Sequence, residues 1–411
     1  MTRKAIAALT LMALMGVGLW AADKVVLNAL FMKQAGFSEE DITAGTRDFM
    51  DRNPDIQVNL TFVAYEDLEQ KILTAAAAGG YDVVLSDGPF TAKFAVGGIV
   101  KEIPPLAAAD KADIFPGALD ACEYLGKYWG MPWINDVRYL YFNKKMLAQA
   151  GFKRAPATLD EMIAQAKVLK AKKIVEYPIV LPWNQAETLS CDFTTITALF
   201  GGAMAKDGKP TLDTEANRKA LEWMVRAIKD GLVNPKSIVY GEDDINGVFE
   251  GGNAAFMFNW TYAYGVANDP SQSKVVGDVG IAMIPGNGRV KSATVNGGQP
   301  LCIASGSKHP NEAWAYILYM TGKDFQKAHP ANSLPIWRSL YTDPNVVKSN
   351  PDVVAVAKTQ YDYIVNRPKV PYYSAFSSML QVKIQQALLG RKSVDQALKE
   401  AQSEAESLAQ Q

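Results

Sequence analysis

Apolar and polar positions along this chain recur with two periods. Ile56, Val58, Leu60 and Phe62 alternate with polar neighbours, the period-2 pattern of a half-buried strand. Residues 24–32 read as a strand before it and 37–52 as the intervening helix, with Asn53, Pro54 and Asp55 as the turn. Residues 66–78 read as a second helix, closed by Gly79 and Gly80, and 81–86 as a short buried strand. Strands alternating with helices imply a parallel sheet covered on both faces. Such sheets bind ligands beyond the carboxyl ends of their strands, which places Asp87 and the segment after Met32 near a site. Asp87 would serve equally as a cap for the turn that follows it.

A corner comes next. Gly130 and Pro132 interrupt the pattern amid Trp129, Trp133 and Tyr141, and one carboxylate, Asp136, lies among them. Val137, Tyr139 and Tyr141 alternate with Arg138, Leu140 and Phe142, which suits a strand buried on both faces, and Asn143 is a good N-cap for a helix after it. The second half repeats the grammar. Thr158 and Glu161 form a capping box opening a helix to Leu169. A strand at 179–181 leads into a loop carrying Trp183, Gln185 and Glu187. Residues 213–229 carry Leu221, Met224, Val225 and Ile228 on one helical face, with Gly231 at the end. A strand at 254–258 delivers Asn259, Trp260 and Thr261; further strands are expected at 280–284 and 299–304, a helix at 310–320, a turn at 340–344, an extended run at 366–373 and a long helix to Leu389.

Residues 1–22 stand apart. Arg3 and Lys4 precede an apolar run to Trp20 and then Ala21 and Ala22, the layout of a secretory leader. No cysteine lies near the expected cut, so a free, exported, periplasmic protein is expected rather than a lipid-anchored one. What remains is roughly 390 residues, enough for two domains. A net charge of −1 with 21% charged residues gives no field for nucleic acid or a membrane surface. Three widely spaced cysteines allow one disulfide at most, and two histidines make a histidine-based metal centre improbable. There is no nucleophile elbow, dinucleotide fingerprint or zinc signature, and Pro210 spoils the phosphate-loop likeness of residues 202–210. Neither cofactor nor metal is expected.

Aromatic plates beside carboxylates suit a carbohydrate. The CH face of a sugar packs on an aromatic ring, and its hydroxyls need charged or dipolar acceptors. The same corner would equally pack its aromatics into a core. A pair such as Asp136 and Glu187 would also serve a glycoside hydrolase, and aromatics beside carboxylates suit cations too.

Several stretches together resemble one known family. These are Asn53 to Val58, Tyr81 to Val84 with Asp87, Gly130 to Trp133 followed by Leu140 to Leu147, Gly297 to Ala304 followed by Ser307 to Trp314, Arg367 to Tyr373, and Leu389 to Leu398. In this order they are similar to the extracellular solute-binding proteins of bacterial sugar ABC transporters, the maltose/trehalose-binding-like group. The resemblance spans essentially the whole chain after residue 22. It implies an α/β periplasmic-binding-protein fold of two lobes, each a mostly parallel sheet flanked by helices, joined by crossings near 131–133, 284–286 and 331–335. The lobes would comprise 23–131 with 285–333, and 132–284 with 334–411. It implies a non-catalytic, monomeric protein that closes on a mono- or oligosaccharide and delivers it to permease subunits. Polyols, polyamines and peptides are the alternative solutes. By the resemblance, Asp87 and Asp136 are sugar carboxylates and Trp260 is the stacking aromatic. Trp183, Gln185 and Glu187 form a loop facing the sugar, and Arg338 is a polar cleft residue. Trp133 is the other candidate platform, and Tyr372 lies in the closing segment. Many relatives carry Trp after the Gly297–Gly298 pair; this chain has Gln299, which suits a smaller or more polar ligand.

Overall fold

The computed structural model describes residues 24–33, 36–75, 78–330 and 333–410. The expected leader, 1–22, lies outside them. Two sheets organise the chain. The first has five strands in the order Ile56–Val63, Val25–Met32, Val83–Leu85, Gln299–Ile303, Met131–Ile134. The first three run parallel, with Val25 opposite Ile56 and Ala29 opposite Val83. Helices cover them because each presents one apolar stripe. Glu39–Arg52 opens on a capping box between Ser38 and Asp41 and buries Ile42, Gly45, Thr46 and Phe49. Phe49 meets Tyr316 of helix Pro310–Thr321 edge-on at 5.1 Å.

The second sheet has four strands, Val279–Ala282, Tyr139–Asn143, Phe256–Asn259 and Ile179–Val180. Both sheets are mixed, where mostly parallel ones were expected. Gln299–Ile303 runs antiparallel to Val83–Leu85 and to Met131–Ile134, and Tyr139–Asn143 runs antiparallel to both its neighbours. The reason lies in the connectivity: strands that enter from the other lobe arrive from the opposite end.

The crossings also fall later than expected. Met131–Ile134 is an edge strand of the first sheet, where Pro132 is tolerated because no ladder bond is needed from it. The chain leaves that sheet only after Ile134. Gly286 bonds to Ala157 and Leu159 in the second lobe, and the return instead runs through Thr294–Val295, paired with Ile364–Val365. Val137 bridges Asn296 and Asn135 bridges Leu334, so the connecting strands lie side by side. Residues 331 and 332 of the third expected crossing are outside the described residues; those after them stay with the first lobe, since Ile336 bonds to Phe115 and Ser339 to Asp113.

The second lobe is rich in helix. Glu187–Leu199, Glu215–Lys229, Tyr373–Leu388 and Val394–Leu408 pack together behind its sheet. The first of these was not visible in the sequence. Ten of its thirteen residues are buried, so it shows no polar face to set a period. Cys122, Cys191 and Cys302 are buried and unpaired. Among the described residues no helix is long and apolar enough to cross a membrane.

Candidate functional site

Two carboxylates from different lobes meet on one guanidinium. Strand Val83–Leu85 leads through Ser86 to Asp87, whose side chain caps the turn Gly88–Phe90 through the Gly88 N–H at 2.8 Å. The cap and the ligand reading of Asp87 are therefore compatible. Tyr65 donates its hydroxyl to Asp87 at 2.8 Å, and Arg367 grips the same carboxylate with Nη1 at 2.9 Å and Nη2 at 3.0 Å. Arg367 Nη1 also donates to Glu187, 2.9 Å away, at the start of helix Glu187–Leu199. Glu187 accepts further bonds from Tyr373 and, at 2.6 Å, from Ser377. Burial works against the charge on Arg367, which is only 5% exposed; Asp87 and Glu187 outweigh it and hold the guanidinium well above its ordinary value.

A second cluster lies around Trp260. This residue follows strand Phe256–Asn259 and is half-buried. Its indole N–H donates to Glu242 at 2.6 Å, and Arg138 sits 4.7 Å over its ring. Arg138 is fully buried; it donates to Asp192, to Thr188 at 2.6 Å and to Glu242 at 2.5 Å. Asp192 in turn accepts the indole N–H of Trp183 at 2.9 Å. Helix Glu187–Leu199 thus serves both clusters, Glu187 to one and Thr188 and Asp192 to the other.

Asp136 stands beside Trp260 at the crossing. Its Oδ1 accepts from Val137 N–H at 2.9 Å, Thr261 N–H at 3.2 Å and Thr261 Oγ1 at 2.5 Å. Burial outweighs these bonds and raises the carboxyl to about 6.

The remaining candidates separate. Trp133 is fully buried and stacks on Phe37 at 4.8 Å with Phe31 beside it, so it belongs to the core of the first lobe and is no platform. Trp183 is also fully buried, an anchor for Asp192 rather than a plate for a ligand. Gln185 is exposed and makes no side-chain hydrogen bond. Arg338 is exposed and lies over Phe115 at 5.1 Å, joined to neither cluster. Gln299 is buried, and its Oε1 has no hydrogen-bond partner. Tyr372 is half-buried; its neighbour Tyr373 is the one bonded to Glu187.

Sequence reading passed over Arg367, Arg138, Asp192, Glu242, Tyr65 and Thr261 as site residues. One signal was available: a lone Arg138 in a strand buried on both faces requires a carboxylate partner elsewhere. The cavity beside Arg367 holds about 10 Å³, room for about one water, whereas a hollow of about 400 Å³ lies around Lys24, Asp51 and Pro54 by the edge strand Ile56–Val63. None of the carboxylates, guanidiniums or the Trp260 ring of the two clusters lines the larger hollow. Among the described residues no group of His, Cys, Asp and Glu is arranged to hold a metal ion.

Comparison with known proteins agrees with this architecture. A probable ABC transporter-binding protein of Deinococcus radiodurans is 33% identical over 262 residues, 61% of this chain and 60% of that one. The maltose-bound structure of MalE3 from T. maritima superposes with a TM-score of 0.84 at 26% identity, covering 93% of this chain and all of that one. An ABC transporter solute-binding protein of Agrobacterium radiobacter in complex with ribitol gives 0.81 at 25% identity, over 94% and 99% of the two chains. The model of the family described as bacterial extracellular solute-binding protein matches residues 28–327, most of the described chain, and it is to this family of two-lobed binding proteins that the chain belongs.

Proposed function

We propose that the protein captures a neutral polyhydroxylated solute, a sugar or a polyol, between its lobes and presents it to an ABC-transporter permease. The observation that carries this reading is the meeting of Asp87 and Glu187, one from each lobe, on Arg367, which also donates to the Asn296 carbonyl, while the half-buried ring of Trp260 lies against the next residue, Gly297. Two carboxylates and a guanidinium offer acceptors and donors to vicinal hydroxyls, and an indole offers a face to the CH side of the carbon skeleton. The relatives named for maltose and ribitol support the class.

The mechanism follows from the geometry. The ion pairs of Arg367 with Asp87 and Glu187 join the lobes across the cleft, so the lobes part before a ligand enters. Hydroxyl groups then share Asp87, Glu187 and Arg367, and Gln299 Oε1 supplies one more acceptor. Contacts from both lobes bind the closed state better than the open one, and ligand shifts the population toward closure. A wrong epimer leaves a buried group unpaired, at about 1–3 kcal/mol each.

Catalysis is not part of this reading. Gln299 favours a monosaccharide or polyol over a long oligosaccharide, because an amide replaces a stacking ring. We place the lobes at 24–134 with 297–342, and 139–292 with 344–410. The protein acts as a monomer, exported by the leader at 1–22. Calorimetric titration with maltose, mannitol, ribitol, a diamine and a dipeptide tests the class. Saturable heat with a sugar or polyol and none with the diamine is expected; binding of the diamine or dipeptide alone would overturn the reading.

A further inference from the structure

We infer that Glu242 is a positioning residue that, with Arg138 and Gly297, locks the ring of Trp260 in place for the ligand. The inference rests on the role of Trp260 proposed above. Three groups constrain the indole from three sides. Glu242 accepts its N–H at 2.6 Å. The Arg138 guanidinium lies 4.7 Å over the ring. At the six-membered edge, a Cβ added to Gly297 would come within 2.5 Å of Trp260 Cζ3, so only glycine permits this close approach.

The constraint is itself constrained. Glu242 Oε1 receives three donors, from Arg138 at 2.5 Å, Thr188 at 3.0 Å and Trp260. Arg138 is fixed by Asp192, and Asp192 by Trp183. The chain runs from a buried tryptophan in the second lobe to the half-buried one at the cleft. A ring free to turn about χ1 and χ2 loses rotamer entropy on binding; a ring already held does not, and that difference appears as affinity. The guanidinium has a second consequence. It draws on the electron density of the face it covers, so the ring is a poor platform for a cationic ligand and stays a good one for a neutral CH surface.

The test separates positioning from direct contact. Glu242 is 30% exposed and Asp192 still pairs the buried Arg138 guanidinium when it is replaced, so a melting curve of each variant is recorded beside its titration. Maltose and mannitol are titrated into the wild type, Glu242→Ala, Trp260→Phe and the double variant. Phenylalanine keeps a ring and removes the N–H that Glu242 holds. Glu242→Ala is expected to weaken the bound ligand about tenfold in the wild type and less than about twofold in the Trp260→Phe background. Equal losses in both backgrounds would show that Glu242 acts without Trp260 and overturn the inference. A second readout needs no ligand: the indole ¹H–¹⁵N resonance of Trp260, assigned by its loss in Trp260→Phe, should shift in Glu242→Ala. An unmoved resonance would equally overturn the clamp. If neither sugar binds the wild type, the functional reading fails, while this resonance still decides whether the indole is held.

Discussion

Two tryptophans that look alike in the sequence differ in consequence. Trp260 is half-buried at the end of a strand, and Trp133 is fully buried against Phe37. Trp260→Ala should remove a stacking surface worth about 0.5–1.5 kcal/mol beyond its apolar area, more than about 2 kcal/mol in all, so affinity falls more than tenfold while the melting temperature moves little. Trp133→Ala should instead cost about 3–5 kcal/mol of stability and reach affinity only indirectly. Titration and melting of both variants check this, and a Trp260 variant that melts far lower yet binds normally contradicts it. Asp136 makes a pH prediction. Its carboxyl titrates near 6 in the fold and near 4 when unfolded, so the native state holds the proton more tightly between those values. Stability from this group is therefore greatest below about pH 4 and is lost as pH rises through 6. Asp136→Asn should be more stable than wild type at pH 7 by about 2–3 kcal/mol, with most of the gain gone at pH 4. Denaturant titrations at the two values decide it; a variant less stable at both would refute the assignment. The strand end that places Asp87 was legible as a short apolar run after Gly79 and Gly80. The fate of Trp133 was not, because a Gly–Pro corner looks the same whether its aromatics turn inward or outward.

Amphipathic elements were the legible ones. The helices at Glu39–Arg52, Leu159–Ala171 and Glu215–Lys229 begin within two residues of their expected starts, because a capping side chain and an apolar stripe both mark them. Thr158 accepts from Glu161 N–H at 3.1 Å, while the Glu161 carboxylate bonds to Ala157 N–H at 2.8 Å and to Arg154. Thr158→Ala should cost about 1 kcal/mol of stability and leave affinity unchanged, as denaturation and titration in parallel will show. Helix Glu187–Leu199 escaped notice for the opposite reason. Packed on nearly all sides, it has no contrast of faces, and its four threonines favour strand by propensity. The strands at Thr294–Val295 and Ile364–Val365 are two residues each, too short for any period to appear. Missing these elements hid the hinge and half of the site, since they carry Glu187 and Asp192 or pair beside Asn296 and Arg367.

At the scale of the whole molecule, two lobes are tied by more than a hinge. Besides Arg367, Lys369 donates to Asp120 at 2.7 Å and Ser374 to Glu69 at 2.5 Å, so the segment running into helix Tyr373–Leu388 straps the second lobe to the first. Two lobes were foreseeable from chain length and the repeated strand–helix grammar. The strap was not, because it joins residues about 250 to 305 positions apart through single polar contacts that leave no periodic trace. Closure on a solute is the central claim, and the shape of the protein in solution tests it most directly. Small-angle scattering should be recorded without ligand and with a sugar or polyol that calorimetry shows to be saturating. The account predicts a larger radius of gyration for the free protein and a drop on saturation, because a ligand held by groups of both lobes draws them together. Superimposable profiles with and without a saturating ligand would contradict it.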